Sequence, residues 1–139
     1  MEKGTRKKIM FTIPGTLPSL NDYVNACRAN KRLGAKMSND AHILCKYGML
    51  KLAGKKLPGV WITFRWIEKN RRRDKDNIAF AKKFILDAMQ EMDIIENDGW
   101  NEIHDFRDIF SVDKYNPRIE VTMEYQEKEG NENGYRKTE

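Results

Sequence analysis

At 139 residues, with 40% hydrophobic and 34% charged side chains, the chain is long enough for a single domain with a real core and too apolar to be disordered throughout. Its longest apolar runs, about five residues, fall far short of the ~20 that span a bilayer, and no apolar stretch follows the basic start Met1–Lys8, so neither a membrane protein nor a signal peptide is expected. Two cysteines and two histidines exclude a disulfide framework, a cysteine-built zinc site and a histidine-rich catalytic centre, and point to the reducing cytoplasm.

The net charge of +5 conceals an asymmetry: Met1–Lys75 has 18 Lys and Arg against 5 Asp and Glu, a net +13, whereas Asp76–Glu139 has 8 against 16, a net −8. A basic half of that size suits a polyanionic partner, and nucleic acid is the leading candidate. In chain order, Lys8–Ile13 alternates as a strand that Pro14-Gly15 stops. Thr16–Met37 has no steady period, with a short helix possible around Asn21–Ala29. Ser38 offers a helix N-cap, and Ala41, Leu44, Cys45, Gly48 and Leu52 follow at helical spacing up to Gly54. Val60–Ile67 is a strand with Val60, Ile62, Phe64 and Trp66 on one face.

After the charged run Glu68–Asp76, a helix is expected from about Asn77 to Glu91, burying Ile78, Ala81, Ile85, Ala88 or Met89, and Met92. Asn97-Asp98-Gly99 is a turn, Glu102–Val112 a weakly patterned strand or pair of strands, and Arg118–Tyr125 a cleanly alternating strand. Residues 126–139 read as a disordered polar tail behind one domain over 1–125. The order β-α-β-α-β-β gives an α+β fold, a small mixed sheet of about four strands with two main helices on one face. Trp61, Trp66 and Trp100 are assigned to core or sheet packing, and Cys27 and Cys45 to small apolar fillers.

The chemistry concentrates in Arg71-Arg72-Arg73-Asp74-Lys75-Asp76-Asn77. In extended backbone, Asp74 and Asp76 point to the same side and converge, and two carboxylates held together invite a divalent cation such as Mg²⁺, which also binds phosphate. The alternative is that one Asp caps the following helix while the arginines are solvated; both can hold at once. Asp98 is a candidate third carboxylate, although Asp98-Gly99 is also a plain turn signature. Lys83 follows Asp76 by two helical turns, so its ammonium would lean back toward the acidic pair, with Lys82 the weaker candidate; the alternative is a snorkelling surface lysine. Pro18-Ser19-Leu20-Asn21-Asp22-Tyr23, with Arg28, Lys31, Arg32 and Lys36, suits a track for a phosphate backbone, the alternative being a solvated polar loop.

Taken together, the Arg-flanked Asp74/Asp76 motif, a helix containing Lys83 and Leu86-Asp87-Ala88-Met89, and Ile94-Ile95-Glu96-Asn97-Asp98 resemble the RusA family of Holliday junction resolvases. Pro18-Ser19-Leu20-Asn21 and Lys36-Met37-Ser38 fit the same resemblance, which runs over most of residues 8–125. It implies a small α+β homodimer that resolves four-way junction DNA by paired symmetric nicks with Mg²⁺ or Mn²⁺ and no small-molecule cofactor. By position it assigns Asp74, Asp76 and Asp98 to metal binding and catalysis and Lys83 to the catalytic lysine. The segment from Asp76 to that lysine is about three residues longer than in the best-known member, and the Asn21–Lys36 loop is longer too.

The expected function is therefore a Mg²⁺-dependent, structure-selective endodeoxyribonuclease, with Arg71, Arg72, Arg73, Lys75, Asn21, Arg28, Lys31, Arg32 and Lys36 contacting DNA. The rivals are a non-enzymatic nucleic-acid-binding module and a metal-dependent flap or RNA nuclease.

Overall fold

Strand alternation sets the sheet. In the computed structural model, which describes residues 5–127, β1 (Arg6–Pro14), β2 (Val60–Glu68), β3 (Ile103–Val112) and β4 (Arg118–Gln126) form one mixed sheet in the order β1-β4-β2-β3. β4 runs antiparallel to both β1 and β2, and β3 runs parallel to β2. The register stacks apolar rows across three strands: Ile9–Met123–Ile62, Phe11–Val121–Phe64 and Ile13–Ile119–Trp66. These rows form the floor of the core, and truncating a buried member such as Phe64 costs about 3–5 kcal/mol.

The helices cover that one face. α1 (Leu20–Ala29) opens on a capping box in which Ser19 Oγ accepts the Asp22 N–H at 3.1 Å and Asp22 Oδ2 accepts the Ser19 N–H at 3.0 Å. Asn30 ends α1 and caps α2 (Lys31–Gly48), its Oδ1 accepting from Leu33 N at 3.0 Å. A helix start at Ser38 is therefore corrected to Lys31, with Ser38 in the helix interior. The earlier turns show no apolar period because they meet α1 through Gly34, where a Cβ would stand 2.6 Å from Cys27 Sγ. The inward face becomes continuous only from Ala41 and Cys45. Leu52 lies in a short 3-10 turn, Leu50–Leu52, beyond that helix.

The helix expected after the arginines is two helices, α3 (Lys75–Ala79) and α4 (Lys82–Glu91). Between them Ala81 N, Lys83 N and Phe84 N reach the carbonyls of Ile78, Phe80 and Ala81 at 3.0–3.2 Å, a tighter three-residue winding. Tyr23, Phe80 and Phe84 pack together at this break. Residue 126 belongs to β4 rather than to a tail, and residues 128–139 lie outside the described residues. No described helix is long and apolar enough to cross a membrane.

Candidate metal and nucleic-acid site

A cleft of about 690 Å³ opens where β2 and β3 end, lined by Asp74, Lys75, Asp76 and Arg71 on one side and Phe110 and Val112 on the other, with Glu68 and Arg73 at its base. Glu68 continues the inward parity of Trp66 and is only 7% exposed. Its carboxylate is held by Arg73 through two hydrogen bonds of 3.0 Å, the bidentate geometry that best offsets desolvation of a carboxylate. The same guanidinium donates to Leu17 O at 3.0 Å and approaches Asp22 at 3.6 Å. Arg73 thus ties the loop between β2 and α3 to the loop between β1 and α1. Unlike Arg71 and Arg72, Arg73 is engaged within the fold.

Asp74 occupies the N-cap position of α3 with extended backbone, but its side chain makes no capping hydrogen bond. Asp76 sits inside the first turn, and its Oδ1 accepts the Asn77 N–H at 2.9 Å. Both carboxylates are exposed, and neither joins an ion pair with a described residue. Asp74 is extended and Asp76 helical, so they are not the extended i, i+2 pair expected; what they share is the lining of one cleft. Mg²⁺ is typically held by one or two carboxylates together with waters and substrate phosphates, so this pair fits such an ion. Among the described residues of one chain, no group of three or more His, Cys, Asp or Glu could hold a metal.

Asp98 does not join them within the chain. Because β3 is parallel to β2, residues preceding β3 lie beside the start of β2, while Asp74 and Asp76 lie beyond its end. Gly99 O accepts from Ile103 N and Glu102 O from Val60 N, each at 2.9 Å, which fixes the Asp98 turn at that far end. With ~3.3 Å per strand residue, roughly 20 Å or more separates it from the cleft.

Lys83 is also elsewhere: the break at Phe80–Ala81 removes the two-turn spacing from Asp76, and Lys83 Nζ approaches Asp87 at 3.6 Å instead. Lys82 is the engaged lysine. Its Nζ meets Asp108 Oδ2 at 2.8 Å and stands 3.9 Å from the centre of the Phe106 ring, while Trp66 Nε1 donates to Asp108 Oδ1 at 2.8 Å. Neither lysine lines the cleft.

Arg71 and Lys75 line the cleft and are exposed, and Arg72 is exposed beside them in the same loop. Asn21, Arg28, Lys31 and Arg32 are exposed on α1 and the start of α2, and Lys36 pairs with Asp40 at 2.9 Å. Ser19 is a buried helix cap, and half-buried Tyr23 packs on Phe80 and Phe84. Trp66 is buried as expected, but Trp100 is 96% exposed, which corrects its assignment to the core. Cys45 is buried and Cys27 is exposed. Sequence reasoning missed Glu68 and Asp108; the parity of Glu68 with Phe64 and Trp66 was the available signal for the first.

The chain matches no protein-family model, and no curated protein sequence matches it.

Proposed function

We propose that this protein is a divalent-metal-dependent, structure-selective endodeoxyribonuclease that resolves four-way DNA junctions as a homodimer. One observation supports the chemistry above the rest: Asp74 and Asp76 stand exposed, without ion-pair partners among the described residues, in a cleft that Arg71 and Lys75 also line. The likeness of the motif to the RusA family supports the substrate. A divalent cation bound there supplies neutralisation of the scissile phosphate and a lowered pKa for an attacking water. Asp74 and Asp76 hold the cation, Arg71, Arg72 and Lys75 draw in the phosphate backbone, and the Glu68–Arg73 pair fixes the loop from which Asp74 projects.

A second copy of the chain offers the missing third carboxylate. Edge strand β1 is guarded by Arg6, Lys7, Lys8 and Pro14, whereas edge strand β3 exposes Phe106 and Val112. The start of β3 is acidic (Glu96, Asp98, Glu102, Asp105) and its end adjoins Arg71, Arg72, Lys75 and Lys114. An antiparallel two-fold pairing of β3 with its copy would join each acidic end to the other basic end and bring Asp98 of the partner subunit toward Asp74 and Asp76. Two such sites related by a two-fold axis match the symmetry of a junction.

The test is Asp74→Asn on a synthetic four-way junction. Nicking in Mg²⁺ should be lost while binding stays equal or tightens, because a negative charge near phosphate is removed; nicking at the wild-type rate would defeat the assignment. A non-enzymatic DNA-binding module is the second reading, favoured by the lack of a metal-holding group of three or more His, Cys, Asp or Glu among the described residues of one chain. Binding without nicking by the wild-type protein, in Mg²⁺ and in EDTA alike, would select it.

A further inference from the structure

Trp100 is the most exposed of the large apolar side chains, at 96%. The other two indoles are engaged: Trp66 is buried with its N–H on Asp108, and Trp61 lies 3.5 Å beneath the Arg6 guanidinium and against His104. The turn that displays Trp100 is pinned, since Asn97 Oδ1 accepts the Gly99 N–H at 2.8 Å and Gly99 O accepts from Ile103 N at 2.9 Å. The indole is therefore held out on an ordered corner.

The surroundings indicate what it meets. Asn97, Asp98 and Asn101 beside it are exposed and polar, so the apolar surround of a protein–protein anchor is missing. A nucleobase of any identity can stack on a flat aromatic face, the backbone being held by basic groups elsewhere. Glu96 and Glu102, which the proposed metal site does not use, repel the phosphates of a continuous duplex, whose bases are in any case stacked on one another. A base unstacked at a branch point presents its face clear of that backbone.

We infer that Trp100 is a base-stacking residue that takes an unstacked nucleobase at the branch point of junction DNA and so sets part of the preference for branched over linear substrate. The inference rests on the nuclease reading and deepens it, naming the feature of the substrate that is recognised. In the two-fold pairing of β3, this turn borders the partner's cleft, so the base taken would flank the strand held there.

The experiment uses the full chain with Ca²⁺ in place of Mg²⁺ and measures binding alone. The probes are a four-way junction with 2-aminopurine at the branch point and a linear duplex of the same sequence. The wild-type protein should change the 2-aminopurine fluorescence on binding. Trp100→Ala should abolish that change and weaken junction binding about tenfold with duplex binding unaltered, and Trp100→Phe should keep most of both. Sedimentation should give the same oligomeric state for all three proteins. Unchanged junction affinity and fluorescence in Trp100→Ala would overturn the inference, as would equal losses on junction and duplex. Dissociation of the Trp100→Ala protein would overturn it too, by making the indole an interface anchor. A wild-type protein that binds no branched DNA would defeat the nuclease reading and this inference with it; one that binds and nicks beside an indifferent Trp100→Ala defeats the inference alone.

Discussion

Arg73 and Glu68 meet through two parallel hydrogen bonds, Nε to Oε1 and Nη2 to Oε2, both 3.0 Å long. The pair sits at the base of the cleft, with the Glu68 side chain 9% exposed and that of Arg73 26% exposed. Asp74 is the next residue after the one that is clamped. The fork therefore converts a flexible arginine-rich loop into a fixed support for the acidic pair.

Removing one partner should cost more than removing both. Arg73→Ala leaves the Glu68 carboxylate nearly buried and unpaired, a loss of about 3–5 kcal/mol, whereas Glu68→Met combined with Arg73→Met should cost markedly less. Arg73→Lys keeps the charge but not the fork and should fall between them. Urea unfolding of the four proteins gives the comparison; equal stability of Arg73→Ala and wild type would show that the clamp is idle.

The two adjacent lysines should behave differently. Lys82 is 14% exposed and bound to Asp108, so Lys82→Ala strands a partly buried carboxylate and should cost about 2–4 kcal/mol. Lys83 is 69% exposed in an i, i+4 pair with Asp87, and Lys83→Ala should change stability by no more than about 0.5 kcal/mol. Thermal melts of both variants decide it, and nicking assays on the same samples report which lysine activity needs.

The strands were readable in the sequence because each keeps one parity inward over its length, as Val60–Ile62–Phe64–Trp66 does. Helix α2 was misread at its start because its first turns join α1 through Gly34 and leave no apolar stripe. The break between α3 and α4 was hidden because Ile78, Ala81 and Ile85 keep a helical spacing across it. Asp74 and Asp76 could be singled out as candidates because charge is a local property of the sequence, and the fold puts both on one cleft. Asp98 was misplaced because its position depends on strand direction. A strand–helix–strand order argues for a parallel pair, and a parallel pair separates the residues after one strand from those before the next.

The cysteines should differ in reactivity. Burial pushes the Cys45 thiol up from 9.0 to about 12, while Cys27 is exposed on α1. At pH 8 a disulfide reagent should titrate one thiol rapidly in the native protein and the second only on unfolding. Because the raised value belongs to the folded state, this contribution to stability is fully present below the ordinary thiol value and declines as pH rises from there toward about 12. Rapid labelling of both thiols without unfolding would contradict the burial of Cys45 on the inward face of α2.

Mixing two inactive proteins tests the shared site. In the proposed dimer, Asp74 and Asp76 of one protomer work with Asp98 of the partner subunit, so Asp74→Asn and Asp98→Asn should each be inactive alone. A heterodimer of the two holds one site with every mutation and one with none. If subunits exchange freely, half of the dimers are heterodimers with one intact site of two, and about a quarter of wild-type single-nick activity should return. Paired nicking of one junction should stay absent, because no dimer in the mixture has two intact sites. A site built within one chain would give no rescue at all, and an active Asp98→Asn would remove that residue from the chemistry. Nicked-circle assays on a cruciform plasmid separate single from paired cuts and distinguish all three results.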